Sequence, residues 1–515
     1  MKRLIRVSST ILAIAAFAAP ALHAQTGEDA FRFAERAPAT GARAMGMAGV
    51  GIAGIADYSA FFTNPAGLGY LQASLFGGSL NSLSVTDEAR YQTIGFTSFG
   101  ESDVRATHLG NLAYVYKVPT SRGSLVVGAG YNQADAYDRS LQFAGQNAAN
   151  SVSDSFLPFA DEFEVAFDDA GPFPHFFHDV PELAFQGGAI EFLSENVGTD
   201  QPLFYQAVVP GTTIEQFGDV LEEGRMSELN VGGAWEASPN VMVGLSGNFS
   251  FGTYRFNSIF EESDSQNENG PDDYIVVLSD GELRGFDFLT YEQGFESDLT
   301  GFSLRGGVST DVAGGARLGL TVETPTFFVV NEDFHRSVET IFDIGGSLSE
   351  SQRGEFEYEI RTPWRLGAGA AWHNGDILIA GDVEYVDWSQ MELDADGTSF
   401  DDVNRDIRQS FDPVWNAKIG AEYLLGNVAL RGGFAIKPDP RVFEQGADQT
   451  FDRDKTFFSA GVGYQFADRF FVDLGWMQER FDDQYVPYGD VSTTPPVAEE
   501  EVVRNRVSIG VRVMF

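Results

Sequence analysis

The sequence predicts an all-β protein: a transmembrane antiparallel β-barrel of 14 strands, with an N-terminal segment plugging the lumen and outer loops that are partly helical. Three observations predict it. The chain opens with a secretory leader, alternation of apolar and polar residues recurs in fourteen segments, and the connections between those segments alternate between short and long. An even strand number lets a single-chain barrel close without leaving an unpaired edge in lipid.

The leader is residues 1–24. Lys2, Arg3 and Arg6 form a positive start, Ile11 to Ala21 an apolar run, and Leu22-His23-Ala24 a small-residue cleavage site before Gln25. The run falls short of the roughly 20 residues that a spanning helix needs. Residues 25–69 come next, and Gly41 to Gly69 within them is dense in Gly and Ala, with Arg43 and Asp57 its only charges. It ends in Asn64-Pro65-Ala66-Gly67, where Pro sets φ and Asn and Gly tolerate turns. Composition leaves a wedge and a Gly-rich loop both open; a position just ahead of the first strand favours a plug.

From residue 70 to 515 the period-two segments are 70–86, 106–118, 122–136, 225–237, 240–258, 296–310, 315–330, 355–372, 376–389, 410–424, 426–437, 454–466, 468–482 and 502–515. Pro119-Thr-Ser121, Ser238-Pro239, Asp311-Val-Ala-Gly314, His373-Asn-Gly375, Leu425-Gly426 and Ala467 make short, periplasmic turns. The remaining connections are long and outward, notably 138–224 and 259–295. Parity assigns Phe458, Val462, Tyr464 and Phe466, and likewise Val507, Ile509, Val511 and Val513, to lipid. In 355–372 it assigns Phe356, Tyr358, Ile360, Trp364 and Leu366 to lipid and Glu355, Glu357, Glu359, Arg361 and Arg365 to the lumen. Asp382, Glu384, Glu422, Arg431, Asp473, Arg504, Arg506 and Arg512 join the lumen set, a mixed-sign lining suited to bracing a plug.

Composition excludes several classes. With 75 acidic against 33 basic residues, nucleic acid is not a partner. No Cys means no disulfide or thiolate chemistry. The six His are dispersed, and Glu392-x-Asp394-x-Asp396-Gly397 lacks the closing Glu of a calcium loop because Val403 stands there. No nucleophile, base and acid share usable context. The expectation is a non-enzymatic protein without cofactor or metal.

The stretch 138–224 holds 16 Asp and Glu, one Arg and 12 Phe. So many aromatics are more than a purely solvated loop requires. Val180 to Val197 and Thr213 to Glu223, the latter behind a Thr212-x-x-Glu215 capping box, read as helices. They form a lid with its own small core, or a groove for an apolar ligand contacting Phe173, Phe176, Phe177, Phe185, Phe192 and Phe217.

Gly41-Ala-Arg-Ala-Met-Gly-Met-Ala-Gly through Asn64-Pro65-Ala66-Gly67-Leu68 resembles the N-terminal hatch of the FadL/TodX family of outer-membrane transporters for hydrophobic compounds. The resemblance continues in Thr362-Pro-Trp-Arg-Leu-Gly-Ala-Gly369, Asp382-Val-Glu-Tyr-Val-Asp-Trp-Ser389 and Leu430-Arg-Gly-Gly-Phe434. It implies passive transport of fatty acids or hydrocarbons: capture among outer loops, passage to a barrel pocket, and sideways exit at a kink in the third strand, with Asn64, Pro65, Ala66 and Gly67 in the gating hatch. Gly128, Gly130 and Asn132 are the candidates for that kink, while lumen packing is the other reading of the two glycines. Phe515 on the last strand resembles the signal read by the barrel assembly machinery, and lipopolysaccharide is the expected outer neighbour, its bound divalent cations screening the acidic loops. The resemblance also extends to a related branch that serves type IX protein secretion.

Overall fold

The structure is a computed structural model that describes residues 26–168, 171–209, 211–270, 276–277, 283–442, 453–467, 469–489 and 495–515. The leader lies outside the described residues.

Fourteen strands close an antiparallel barrel. They are β1 (Leu75–Thr93), β2 (Phe96–Lys117), β3 (Leu125–Ala136, resuming as Arg139–Asn147), β4 (Ile214–Ser238), β5 (Val241–Ser263), β6 (Phe286–Val312) and β7 (Ala316–Glu323, resuming as Phe327–Phe342). There follow β8 (Ser347–Arg361, resuming as Arg365–His373), β9 (Ile377–Asp387, resuming as Glu392–Asp394), β10 (Pro413–Leu425), β11 (Val428–Lys437), β12 (Lys455–Ala467), β13 (Phe470–Tyr485) and β14 (Val497–Met514). Each strand pairs with its sequence neighbours, and β1 pairs with β14 from Leu75 opposite Met514 to Gln92 opposite Val497, which closes the ring.

Alternation puts Phe458, Val462, Tyr464 and Phe466 of β12 and Val507, Ile509 and Val511 of β14 on the exposed apolar belt, as parity predicts. The belt ends well below the outer tips. On β5 it runs through Leu245 and Phe249, and beyond it Arg255 forms an exposed ion pair with Glu296 of β6 at 2.8 Å. The outer third of the wall therefore stands in water.

This explains one reversal. Glu355, Glu357, Glu359 and Arg361 face outward and are exposed, whereas Tyr358 and Ile360 are 1 % exposed and point inward. The irregular Thr362-Pro363 pair between the two halves of β8 shifts the pleat, so Trp364 and Leu366 below it face lipid. Charges above the bilayer need no lumen.

Two helix expectations change. Of residues 180–197 only the first part is α-helical, in α3 (Asp179–Gln186), ended at Gly187-Gly188, where Gly188 takes φ +75°. Thr213 to Glu223 is not a helix but the outer end of the 25-residue β4, paired with β5 and with the outer part of β3. Ile214, Gln216 and Val220 are buried there while Glu215 and Phe217 face out, so cross-strand pairing overrides the helical spacing. The strands also overrun their expected ends: β1 and β2 meet at a two-residue turn, Ile94-Gly95, and β5 and β6 consume much of 259–295.

Candidate transport site

The N-terminal segment lies in the lumen. It starts with α1 (Gly27–Ala34), runs extended to Pro38, forms a short helix α2 (Ala42–Met45), and ends in two tight turns, Tyr58–Phe62 and Pro65–Tyr70. Asn64 is fully buried and fixes the second turn: its Oδ1 accepts from Ala66 N at 3.0 Å, and its Nδ2 donates to Ile52 O at 2.7 Å and to Val308 O and Leu320 O of β6 and β7 at 3.3 Å. The wall is cut to receive it. A Cβ on Gly307 would fall 1.9 Å from Asn64 Oδ1, and one on Gly244 would fall 2.2 Å from Ala66 N.

A closed ring of ion pairs joins this segment to the wall. Arg43 contacts Glu422 (2.9 Å) and Asp57 (3.4 Å), Arg431 contacts Glu422 (2.6 Å) and Asp473 (2.7 Å), and Arg512 contacts Asp473 (2.9 Å) and Asp57 (3.2 Å). Three guanidinium groups meet three carboxylates, two members from the plug and four from β10, β11, β13 and β14. Such burial is tolerable because every charge has two opposite partners.

Above this lies a second polar layer. Arg36 pairs with Glu228 (3.2 Å) and Glu323 (2.6 Å), Arg305 with Glu323 (2.9 Å), and Arg365 with Glu384 (3.2 Å). Arg365, Lys418 and Lys437 donate to the carbonyls of Ala34, Pro38 and Arg36. Glu35, among Lys455 and Lys437, is pulled down to about 2 despite its burial, which acts the other way.

Higher still is an apolar chamber, and α1 fills it. Phe31 meets Trp388 edge-on at 4.7 Å and Phe411 at 5.7 Å, while Phe33 packs against Tyr254 at 5.7 Å and Tyr137 at 6.2 Å. Met226, Leu299, Phe328, Tyr358, Ile360 and Ile407 complete the walls. Sequence reading passed over Phe31 and Phe33, although Thr26 and Asp29 form a capping box ahead of them.

Beside the chamber the wall is split. The β2–β3 ladder stops at Asn111 opposite Asn132; from there outward β2 pairs only with β1 and β3 only with β4, whose register slips at Gln133/Asp135. The outer part of β3 turns inward across β1 and β2, so that Tyr91 packs against Phe143 with ring centres 4.7 Å apart. Side chains bridge the split: Ser102 Oγ donates to Ser140 O, Ser98 Oγ donates to Ala144 O, and His108 Nε2 lies 3.4 Å from Asp138 Oδ2. Gly128 and Gly130, by contrast, are paired on both sides, and a Cβ on them would meet the rings of Phe61 and Phe62 at 3.0 and 3.5 Å. Asn132 sits at the lower end of the split.

The lid, residues 148–209, packs into the barrel mouth. Its Phe156, Leu183, Ile190, Phe192 and Phe204 join Leu289, Tyr291, Val338 and Phe342 of β6 and β7. Phe176 and Phe185 pack at the edge of that core, 5.7 Å apart, whereas Phe173 and Phe177 are exposed. Phe217 is carried off to the outer face of β4, in a cavity of about 370 Å³ with Phe288, Ala144 and Glu261. Of the six phenylalanines, Phe176, Phe185 and Phe192 therefore share the lid core, while Phe173, Phe177 and Phe217 lie apart from it. Within the lid, burial and the neighbouring Glu195 push Glu191 up to about 7.

Comparison with known proteins agrees with this architecture. No curated protein matches the sequence. Among solved structures, the toluene transporter TodX of P. putida is similar at a TM-score of 0.50 and 13 % identity, covering 93 % of this chain and 99 % of its own. A FadL homologue of Pseudomonas aeruginosa is similar at 0.52 and 11 %, with the same coverage. At such identities the likeness concerns the fold. The family model described as outer membrane protein transport protein (OMPP1/FadL/TodX) matches residues 223–496, more than half of the sequence, and the chain is a member of that outer-membrane transport family.

Proposed function

We propose that this barrel conducts neutral hydrophobic small molecules across the outer membrane without an energy source, and that they leave sideways. Exposed Phe173 and Phe177 of the lid, with Phe217 at the rim, offer first contacts. The chamber receives the molecule when Phe31 and Phe33 of α1 withdraw, and the split between β2 and β3 releases it. Asn64, Pro65, Ala66 and Gly67 anchor the hatch that keeps the axial route shut.

One observation carries the reading: the apolar chamber is floored by two successive ionic layers, while beside it the β2–β3 ladder ends. Passing an apolar molecule down the axis means crossing paired charges with no apolar partner, and separating them is costly. At the side only a few hydroxyl and imidazole contacts need part. The acidity of the lid, one basic residue among its loop's 16 acids, disfavours a carboxylate ligand and favours a neutral one.

The test uses the absence of cysteine in this chain. Ser102→Cys with Ser140→Cys places a disulfide where a hydroxyl now bridges the split. Uptake of labelled toluene by expressing cells is expected to fall when the pair is oxidised and to return on reduction. Equal uptake in both states would remove the lateral route.

A further inference from the structure

Buried polar atoms without partners gather around the split. On β2 this is Asn111 Oδ1, on β3 Asn132 Oδ1 and on β4 Asn230 Oδ1; among the described residues none of these atoms has a hydrogen-bond partner. Asn111 and Asn230 are 0 % exposed and Asn132 is 4 % exposed. Leaving such groups unsatisfied costs about 1–3 kcal/mol each, and a cluster of them calls for an explanation.

Register brings the asparagines together. Asn111 and Asn132 are direct partners across β2 and β3, and Asn132 lies opposite Glu228, two positions from Asn230 on β4. Direct partners hold their Cβ atoms about 5 Å apart and diagonal ones about 7 Å. The amide nitrogens are committed elsewhere: Asn111 Nδ2 donates to Ser79 Oγ at 2.7 Å, and Asn230 Nδ2 donates to Asn248 Oδ1 at 2.8 Å, whose own Nδ2 donates to Ser303 Oγ at 3.2 Å. The asparagines thus present acceptors.

The position matters as much as the chemistry. Ala134 and Met226, next along the same inner faces, belong to the chamber wall. Phe62 of the hatch packs below, against Gly130. Asn111 and Asn132 therefore lie where the lower end of the split meets the chamber wall. We propose that these two asparagines form a polar subsite that receives a hydroxyl group: the ligand is an otherwise apolar alcohol or phenol whose O–H donates to the Asn132 carbonyl. This assignment rests on the lateral route proposed above. A carboxylate lacks the donor that these carbonyls require. A plain hydrocarbon leaves every one of these atoms unsatisfied.

Toluene and p-cresol differ by one hydroxyl and make a matched pair of probes. Cells expressing the full-length protein are expected to take up p-cresol in preference to toluene, and Asn132→Leu, which keeps the side-chain volume, is expected to lower the p-cresol to toluene ratio about three- to tenfold. The variant is checked for a heat-modifiable folded barrel. An unchanged ratio in the folded variant would overturn the subsite and leave the transport reading standing. Binding of p-cresol to the purified barrel, followed by ligand-observed NMR, separates the two ideas: binding that Asn132→Leu abolishes supports the subsite even if wild type transports neither probe, and equal binding by both proteins overturns it.

Discussion

Replacing Arg43 by Met should free the hatch while leaving the barrel intact. The substitution removes the contacts of Arg43 to Glu422 at 2.9 Å and to Asp57 at 3.4 Å. Removing one partner of a buried pair costs about 3–5 kcal/mol. Here Glu422 keeps Arg431 at 2.6 Å and Asp57 keeps Arg512 at 3.2 Å, so the lower end, about 3 kcal/mol, applies. At about 1.4 kcal/mol per tenfold, the displaced fraction of the hatch should rise about a hundredfold. The reporter is Ser59→Cys, the single thiol in a chain that has none, at a position 9 % exposed within the hatch. Maleimide labelling of purified protein should be one to two orders of magnitude faster with Arg43→Met than without it, and the barrel should still migrate as a folded species in unheated gels. Labelling rates within a factor of two of each other would refute the claim that the ring holds the hatch.

Three further outcomes are expected. Gly307→Ala, whose Cβ would fall 1.9 Å from Asn64 Oδ1, should speed labelling of the same reporter, because the Asn64 turn can no longer seat. Phe31→Ala should weaken the docking of α1 by about 3–5 kcal/mol and raise the affinity of the purified barrel for toluene, measured by ligand-observed NMR. Glu191, raised to about 7, stabilises the lid most below the ordinary carboxylate range, and this contribution fades as pH rises through about 7. Proteolysis of the lid should therefore quicken between pH 5 and pH 8 in wild type and change less in Glu191→Gln.

Much of the wall was legible because alternation and turn length are local signals. The faces of β12 and β14 follow directly from side-chain parity, and the tight connections at Ser238-Pro239 and Leu425-Gly426 sit where the chain reverses. Parity failed in β8 because it assumes an unbroken pleat, and Thr362-Pro363 interrupts it. It also assumes that an outward face is a lipid face, which ceases to hold where the wall rises into water around Glu355 and Glu357. The helical reading of Thr213 to Glu223 failed for another reason: Ile214, Phe217, Val220 and Leu221 share a stripe at helical spacing, but the partner strands impose period two and divide them between the two faces. The lumen charges were recognisable as a set, but their closure into a ring was not, since Arg43 and Glu422 stand 379 positions apart. The split at Asn111 and Asn132 left no composition signal, because it is defined by pairing that stops.

The ring has a consequence for assembly. It draws on Arg43 and Asp57 near the beginning of the chain and on Arg512 in the last strand, so no intermediate lacking β14 can complete it. Closing so large a loop is entropically slow compared with zipping neighbouring hairpins. The ring is therefore completed last, by the same strand that seals the cylinder against β1, and until then the hatch is held only by its contacts to earlier strands. The ionic lock on the hatch thus reports that the pore is finished, while the contacts to earlier strands only seat it.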